Sequence, residues 1–374
     1  MLHAIRSIWR DDTRRRIAQF YAVAALWLAT TAMHIPDGYL SPATAAVLFV
    51  LVAPFWYLGL KSLQKKANAR SVPLIALMAA FSFIIMMFNV PLPGGTTGHA
   101  VGATLAAILL GPEIGGLAVS IALIIQALFF GDGGITAIGA NCFNMGVVMP
   151  YVAWWVYHAV SGGVPLMSSR RVVAAAVAGW VALTAGALIT AIEFGIQPML
   201  FSAADGTPLY APYPLEIALP AMLIPHMLVA SVIEGAVTAL VVAYLQRTNV
   251  EALQLSGAVA PASASAGRLS VRWLWIGLAV LVVATPLGLL APGTAWGEWG
   301  SDEFTELGLN AVPQGLAQLE GLWGAPLADY DLPALGNASV GYILSAVLGI
   351  ALVAGLVWLL TNLLARQRSG PNTA

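Results

Sequence analysis

Every lysine and arginine in this chain, sixteen in all, falls in one of five short regions: residues 6–16, 61–70, 170–171, 247–272 and 366–368. Between them run long apolar stretches, and a helix needs about 20 such residues to cross the hydrocarbon core of a bilayer. Basic loops stay on the cytoplasmic side. Neighbouring basic regions must therefore be separated by an even number of crossings, and the loops between them, which hold no base, face outward. Only 9% of the residues are charged, against about 25% in soluble domains. The expected fold class is an all-α polytopic membrane protein of the plasma (inner) membrane, with basic loops and C-terminus cytoplasmic and lipid as its solvent. The basic patches needed for phosphate contacts are missing, which excludes a nucleic-acid partner. A single cysteine, Cys142, excludes internal disulfides and thiolate metal clusters.

The apolar runs predict spans at about 42–60, 72–90, 99–110, 115–130, 140–160, 172–193 and 218–245, a unit of about seven helices over residues 33–245. The run 99–110 is short, and its ends are expected to reach into the flanking turns. Residues 246–272 form a cytoplasmic linker containing the low-complexity "AVAPASASAG". A two-helix hairpin follows over residues 273–364, and residues 365–374 form a cytoplasmic tail. The hairpin's external loop carries seven acids and no base, a surface that attracts cations or simply keeps the loop soluble.

Residues 1–32 have a basic start, an apolar core and small residues at Thr30 and Ala32, the pattern of a cleavable leader. Asp11 and Asp12 are unusual in such leaders, so a retained anchor helix and a true start at Met33 stay open. Release at Met33 matters because "MHIPDGYLSP" then begins with a free amine followed by histidine. The Met33 amine, the His34 amide nitrogen and the His34 imidazole can close two chelate rings in one plane. Planar nitrogen donors select late first-row ions such as Ni(II) and Cu(II). A fourth corner suits another imidazole. His99 is a candidate, since Pro91, Pro93, Gly94 and Gly95 break the helix before it and let the chain fold inward; a structural, hydrogen-bonded histidine is the other reading.

"MHIPDGYLSP", "PLPGGTTGHAVGATLAAILLGPEIG" and "ALFFGDGGITAIGANCFNMG", in this order, resemble the substrate-capture component of energy-coupling-factor importers for cobalt and nickel, the CbiM/NikM family. Residues 273–363, through "ATPLGLLAPGTAWGEWG", resemble more weakly the small two-span partner of that family, CbiN/NikN, here fused by the linker. The resemblance implies a subunit that captures Co2+ or Ni2+ at the outer face, with the Met33 amine, the His34 amide and imidazole, and the His99 imidazole as donors. It also implies a transmembrane coupling subunit and separate cytoplasmic ATPase subunits as partners. The metal is cargo, and no cofactor is expected. The fusion tilts the metal toward nickel by analogy; cobalt would serve cobalamin synthesis. None of the three lysines follows a glycine, so the Gly-Lys-Ser/Thr phosphate loop is missing and the chain is not expected to be an enzyme.

Intramembrane polar groups point to function by default. Asn141 and Asn144, one turn apart, are candidates to orient the His34 or His99 ring, because metal-bound imidazoles need such partners; interhelical packing is the alternative. His226 could line the entry or support the site. Glu234, about 12 Å further along the same helix, is expected to pair with a neighbouring helix. Asp37 suits a turn cap or a backbone amide, and Asp132 in "GDGG" reads as a turn residue. Two other functions compete. An intramembrane hydrolase could use Ser161 near His158, but no acidic partner accompanies them. A passive cation channel needs a continuous polar lining, which these spans lack.

Overall fold

The computed structural model describes residues 33–66, 71–92, 96–248, 250–254, 272–291, 296–306 and 312–368. The leader 1–32, most of the linker and the last six residues lie outside these. The protein is helical and multi-pass. Among the described residues, seven helices make the first unit: α1 (Pro42–Lys66), α2 (Ser71–Met86), α3 (Ala103–Leu110), α4 (Pro112–Phe130), α5 (residues 138–161), α6 (Ser169–Leu200, with a break at 196) and α7 (Leu215–Thr248). A second unit adds α8 (Arg272–Leu290), the short α9 (Ser301–Glu306) and α10 (Gln314–Leu319), and the long α11 (Ala338–Arg368).

The chemistry of each run explains its place. α2 is apolar on all sides, so protein or lipid can cover it; here it is protein, and nearly all of its side chains are buried. α11 and α8 of the second unit pack on it, alongside α4. With hydrocarbon as solvent, helices associate through close packing at small residues. A side chain on Gly116 would meet the carbonyl oxygen of Gly146 at 2.0 Å, and one on Gly179 would meet the Cα of Gly235 at 2.7 Å. α11 uses the same device: a Cβ on Gly349 would lie 2.0 Å from the Phe83 ring.

Three of the long helices widen into a single π-turn, at Gln126–Phe130, Asn144–Val148 and His226–Ala230. Each π-turn opens with a polar residue, and such turns occur often at functional sites.

The short run before Leu110 corrects one expectation. α3 holds eight residues, about 12 Å at 1.5 Å per residue, and it does not lengthen into the flanking turns. The preceding residues instead form a small antiparallel ribbon, β1 (Val90–Leu92) with β2 (Thr96–Gly98). An extended segment, 99–102, then leads from the ribbon into α3. Pro91 favours extended backbone at Val90, where β1 begins, and tight turns at Met87 and Phe88 close the end of α2. Buried irregular backbone is tolerated at this depth because protein covers it.

The described residues of the segments 33–41, 96–102, 131–137, 201–214, 296–300 and 312–315 meet one another through hydrogen bonds such as Ile35 to Asn141 and Gly134, His34 to His99, Tyr39 to Ala211 and Trp299, and Gly315 to Leu209. We expect Gly116→Val to leave no room for the α4–α5 crossing, so that the protein elutes as an aggregate in size-exclusion chromatography. Gly321→Ala, at a site with no neighbouring atom within 4 Å, should elute as the native protein.

Candidate metal-capture site

Residues 33–36 form a thread without helix or strand that ends in a turn at Asp37 and Gly38, its first three residues buried. Met33, His34 and Ile35 are all at most 3% exposed. Buried backbone must find hydrogen-bond partners, and here Asn141 supplies two. Its Oδ1 accepts from the Ile35 N–H at 2.8 Å, and its Nδ2 donates to the Ile35 carbonyl at 3.1 Å. The Gly134 N–H also donates to that carbonyl, at 2.9 Å. Asp37 in turn accepts from the Ile135 and Thr136 amides at 3.1 and 2.8 Å. Gly134 must be glycine, because a Cβ there would stand 2.2 Å from the Asp37 nitrogen. Thread and turn therefore hold each other backbone to backbone.

Two histidines meet at this thread. His99 Nε2 lies 3.3 Å from His34 Nδ1, although 65 residues separate them. His99 Nδ1 sits 3.2 Å from the Ala100 carbonyl. A carbonyl only accepts, so Nδ1 carries the proton and Nε2 presents its lone pair toward His34. His34 Nδ1 is also 2.8 Å from Asp132 Oδ1. Burial alone raises the Asp132 pKa, but the charge and hydrogen bond of His34, with smaller help from His99 and Tyr330, outweigh it and hold the carboxyl down at about 2. Among the described residues, no three His, Cys, Asp or Glu side chains form a closed metal cage.

Glu234 reaches the site through backbone. Its carboxylate accepts from the amides of Val101 and Gly102, both at 2.9 Å, and of Thr104 at 3.1 Å. These are the donors at the start of α3, where a negative charge is favoured. The expected pairing of Glu234 with a neighbouring helix is made at the start of α3, on the chain just after His99, which it fixes.

Three supporting residues named from the sequence separate here. Asn141 holds the thread's backbone and neither imidazole. Asn144 donates to Thr190 Oγ1 at 3.0 Å and to Glu193 at 2.7 Å, on α6. Two residues three positions apart differ by about 60° around a helix, enough to send their side chains to different partners. His226 is buried, with Nδ1 2.7 Å from the Met222 carbonyl.

The second unit covers the thread. Trp299 accepts from the Tyr39 hydroxyl at 3.0 Å through its carbonyl. Trp296 stacks near Tyr213, with ring centroids 4.3 Å apart. The Glu298 carboxylate accepts from the His34 N–H; burial, then the negative Asp132, push its pKa well above the usual range. Tyr330 donates to Asp132 Oδ2, and Gln126 Nε2 donates to both, at 2.8 and 3.1 Å. Sequence reasoning left Asp132, Glu298 and Tyr330 out of the site. The only hints were an acid among three glycines and acids in a loop without bases.

The family described as the cobalt uptake substrate-specific transmembrane region matches residues 34–252, more than half of the chain. The chain belongs to that family. A PDGLE domain matches residues 271–366. A fused nickel transport protein, NikMN, of Rhodobacter capsulatus is 51% identical over 90% of this chain and 99% of its own. A probable fused nickel transport protein, LarMN, of Lactiplantibacillus plantarum is 41% identical over 85% of this chain and 94% of its own. A cobalt transport protein, CbiM, of Geobacter sulfurreducens is 35% identical over 73% of this chain and 76% of its own. A solved truncated transition metal transporter is 48% identical, covers 57% of this chain and 98% of its own, and superposes with a TM-score of 0.54. This family member is thus a cobalt or nickel transport component of the membrane, and its relatives carry the names of transport proteins, not enzymes.

Removing Asn141 leaves the buried Ile35 N–H without a partner, while Gly134 still serves the carbonyl, at a cost of about 2 kcal/mol. We expect Asn141→Ala to speed amide hydrogen exchange at Ile35 roughly thirtyfold, measured by mass spectrometry on the detergent-solubilised protein.

Proposed function

We propose that this chain is the metal-binding membrane subunit of an ATP-driven energy-coupling-factor importer, and that it captures Ni2+ through Met33, His34 and His99. The observation that carries this reading is the approach of His99 Nε2 to 3.3 Å from His34 Nδ1. Two nitrogens on adjacent corners of a square site with bonds of about 2.0 Å stand about 2.8 Å apart. The pair needs to close by only a few tenths of an ångström. The remaining two corners fall to the Met33 amine and the His34 amide nitrogen, neighbours along the clamped thread. This set asks for release of the chain at Met33, by removal of residues 1–32 or by a start there.

Nickel is favoured because the relatives that span both units are named as nickel transport proteins; cobalt is the alternative among family members. The acidic loop of the second unit supports capture at the outer face, since it would concentrate cations beside the thread. The basic loops and the tail then lie in the cytoplasm of the inner membrane. Power comes from ATPase subunits acting through a transmembrane coupling subunit. The units are read as a leader (1–32), a metal-binding unit (33–245), a linker (246–272), a two-span unit (273–364) and a tail (365–374).

Protein purified from membranes should begin at Met33 by N-terminal sequencing and bind one Ni2+ per chain. His34→Ala and His99→Ala should each lower nickel content at least tenfold. Full nickel content in both variants would place the site elsewhere.

A further inference from the structure

We infer that the second unit governs occupation of the capture site through Tyr330, a positioning residue that holds the Asp132 carboxylate over the chelating nitrogen of His34. The inference rests on the ligand set proposed above, in which His34 Nδ1 bonds the ion.

Asp132 Oδ1 now occupies that nitrogen, at 2.8 Å. One nitrogen atom cannot donate to a carboxylate and bond a metal at once, so the ion and Asp132 exclude one another. Asp132 does not hold this position alone. Its other oxygen accepts from the Tyr330 hydroxyl and from Gln126 Nε2, and Gln126 braces the hydroxyl as well, at 2.8 Å.

Tyr330 is itself fixed. Its ring stacks on Phe130 with centroids 4.8 Å apart and planes 20° from parallel. Its carbonyl accepts from Ser345 of α11 at 2.8 Å, and the adjoining Leu327 N–H donates to the Phe129 carbonyl at 2.9 Å. The backbone that delivers it is left-handed at two successive non-glycine residues, Asp329 at φ 54° and Tyr330 at φ 59°. Such conformations persist only where the surroundings over-determine them, and they gather at clamps and switches. A ring held this way cannot follow Asp132. When the ion takes Nδ1, the carboxylate must leave, and the Tyr330 bond breaks. When the ion departs, the same bond draws Asp132 back. The contact therefore opposes capture and favours release.

Ni2+ alone, titrated calorimetrically into the full chain in detergent, tests this. Tyr330→Phe keeps the ring and removes the donor, so it should bind Ni2+ about tenfold more tightly; the metal-free form alone loses the bond, so its unfolding temperature falls modestly while that of the nickel-loaded protein is unchanged. Gln126→Met removes the second donor and should tighten binding by a smaller factor, which keeps the idea testable if Tyr330→Phe folds poorly. In an Asp132→Ala background, Tyr330→Phe should have no further effect, whereas a general structural role would act equally in both backgrounds. Unchanged or weaker binding in Tyr330→Phe overturns the latch. Nickel binding that survives His34→Ala overturns the ligand set instead, and the latch with it; loss of binding in His34→Ala with an unaltered Tyr330→Phe overturns the latch alone.

Discussion

A stretch of extended backbone buried inside a membrane protein must have its N–H and C=O groups paired, and the thread at Ile35 meets that demand with Asn141 and Gly134. Most of the loop-end architecture follows from this one requirement. The 131–136 turn has to lie against the thread with nothing between them, which makes Gly134 obligatory. Asp37 then ties the far side of the turn by accepting from Ile135 and Thr136. Once the turn is placed, Asp132 is carried to His34, and the loop before α3 brings His99 to the same point. Polar contacts that are weak in water are strong here, because the alternative to each is an unpaired group in a medium of low polarity.

The second unit is part of this arrangement. Its long helix packs on α2 through Gly349 and Phe83, while its loop supplies Trp299 to Tyr39, Glu298 to the His34 amide and Tyr330 to Asp132. A loop that only attracted cations would need acids at its surface and nothing more. Glu298 instead meets the thread itself, and Tyr330 is buried between α2, α4 and α11. A cleft of about 130 Å3, lined by Pro36, Gly133, Glu298 and Trp323 among others, lies between the thread and this loop. Covering and contacting the thread are thus shared by both units, which gives a physical reason for carrying them in one chain.

The membrane spans were legible because charge segregation and apolar length are properties of the local sequence. The helices of both units fall within a few residues of the predicted runs. The thread was legible for a different reason: Met-His followed by Pro-Asp-Gly is chemically specific, and the three motifs around it are distinctive. What escaped reading depends on contacts between distant residues. Asp132 looks the same in sequence whether it caps its own turn or holds a histidine 98 positions earlier. Tyr330 sits in an ordinary polar loop, and nothing in its neighbourhood signals a left-handed backbone. Asn141 and Asn144 matched in spacing and type, yet one faces the thread and the other α6. Spacing along a helix says which residues share a face, but the identity of what faces them is set by the packing.

The donor types at this end of the bundle bear on which ions it can hold. A cage of three or four side chains would suit zinc, whose ligands are imidazole, thiolate and carboxylate in tetrahedral array. No such cage exists among the described residues, and the two imidazoles that converge here do so beside a main-chain nitrogen. Backbone donors cannot rearrange freely, since the thread is tied at Ile35 and Asp37. On the proposed ligand set, rigid neighbouring nitrogens along a chain would enforce a plane, which suits Ni(II) and Cu(II) and disfavours the tetrahedral preference of zinc. If the proposed ligands hold the ion, the same rigidity makes the side chains around the plane decisive: Asp132, which stands on His34 Nδ1 at 2.8 Å, would set how readily an ion is exchanged.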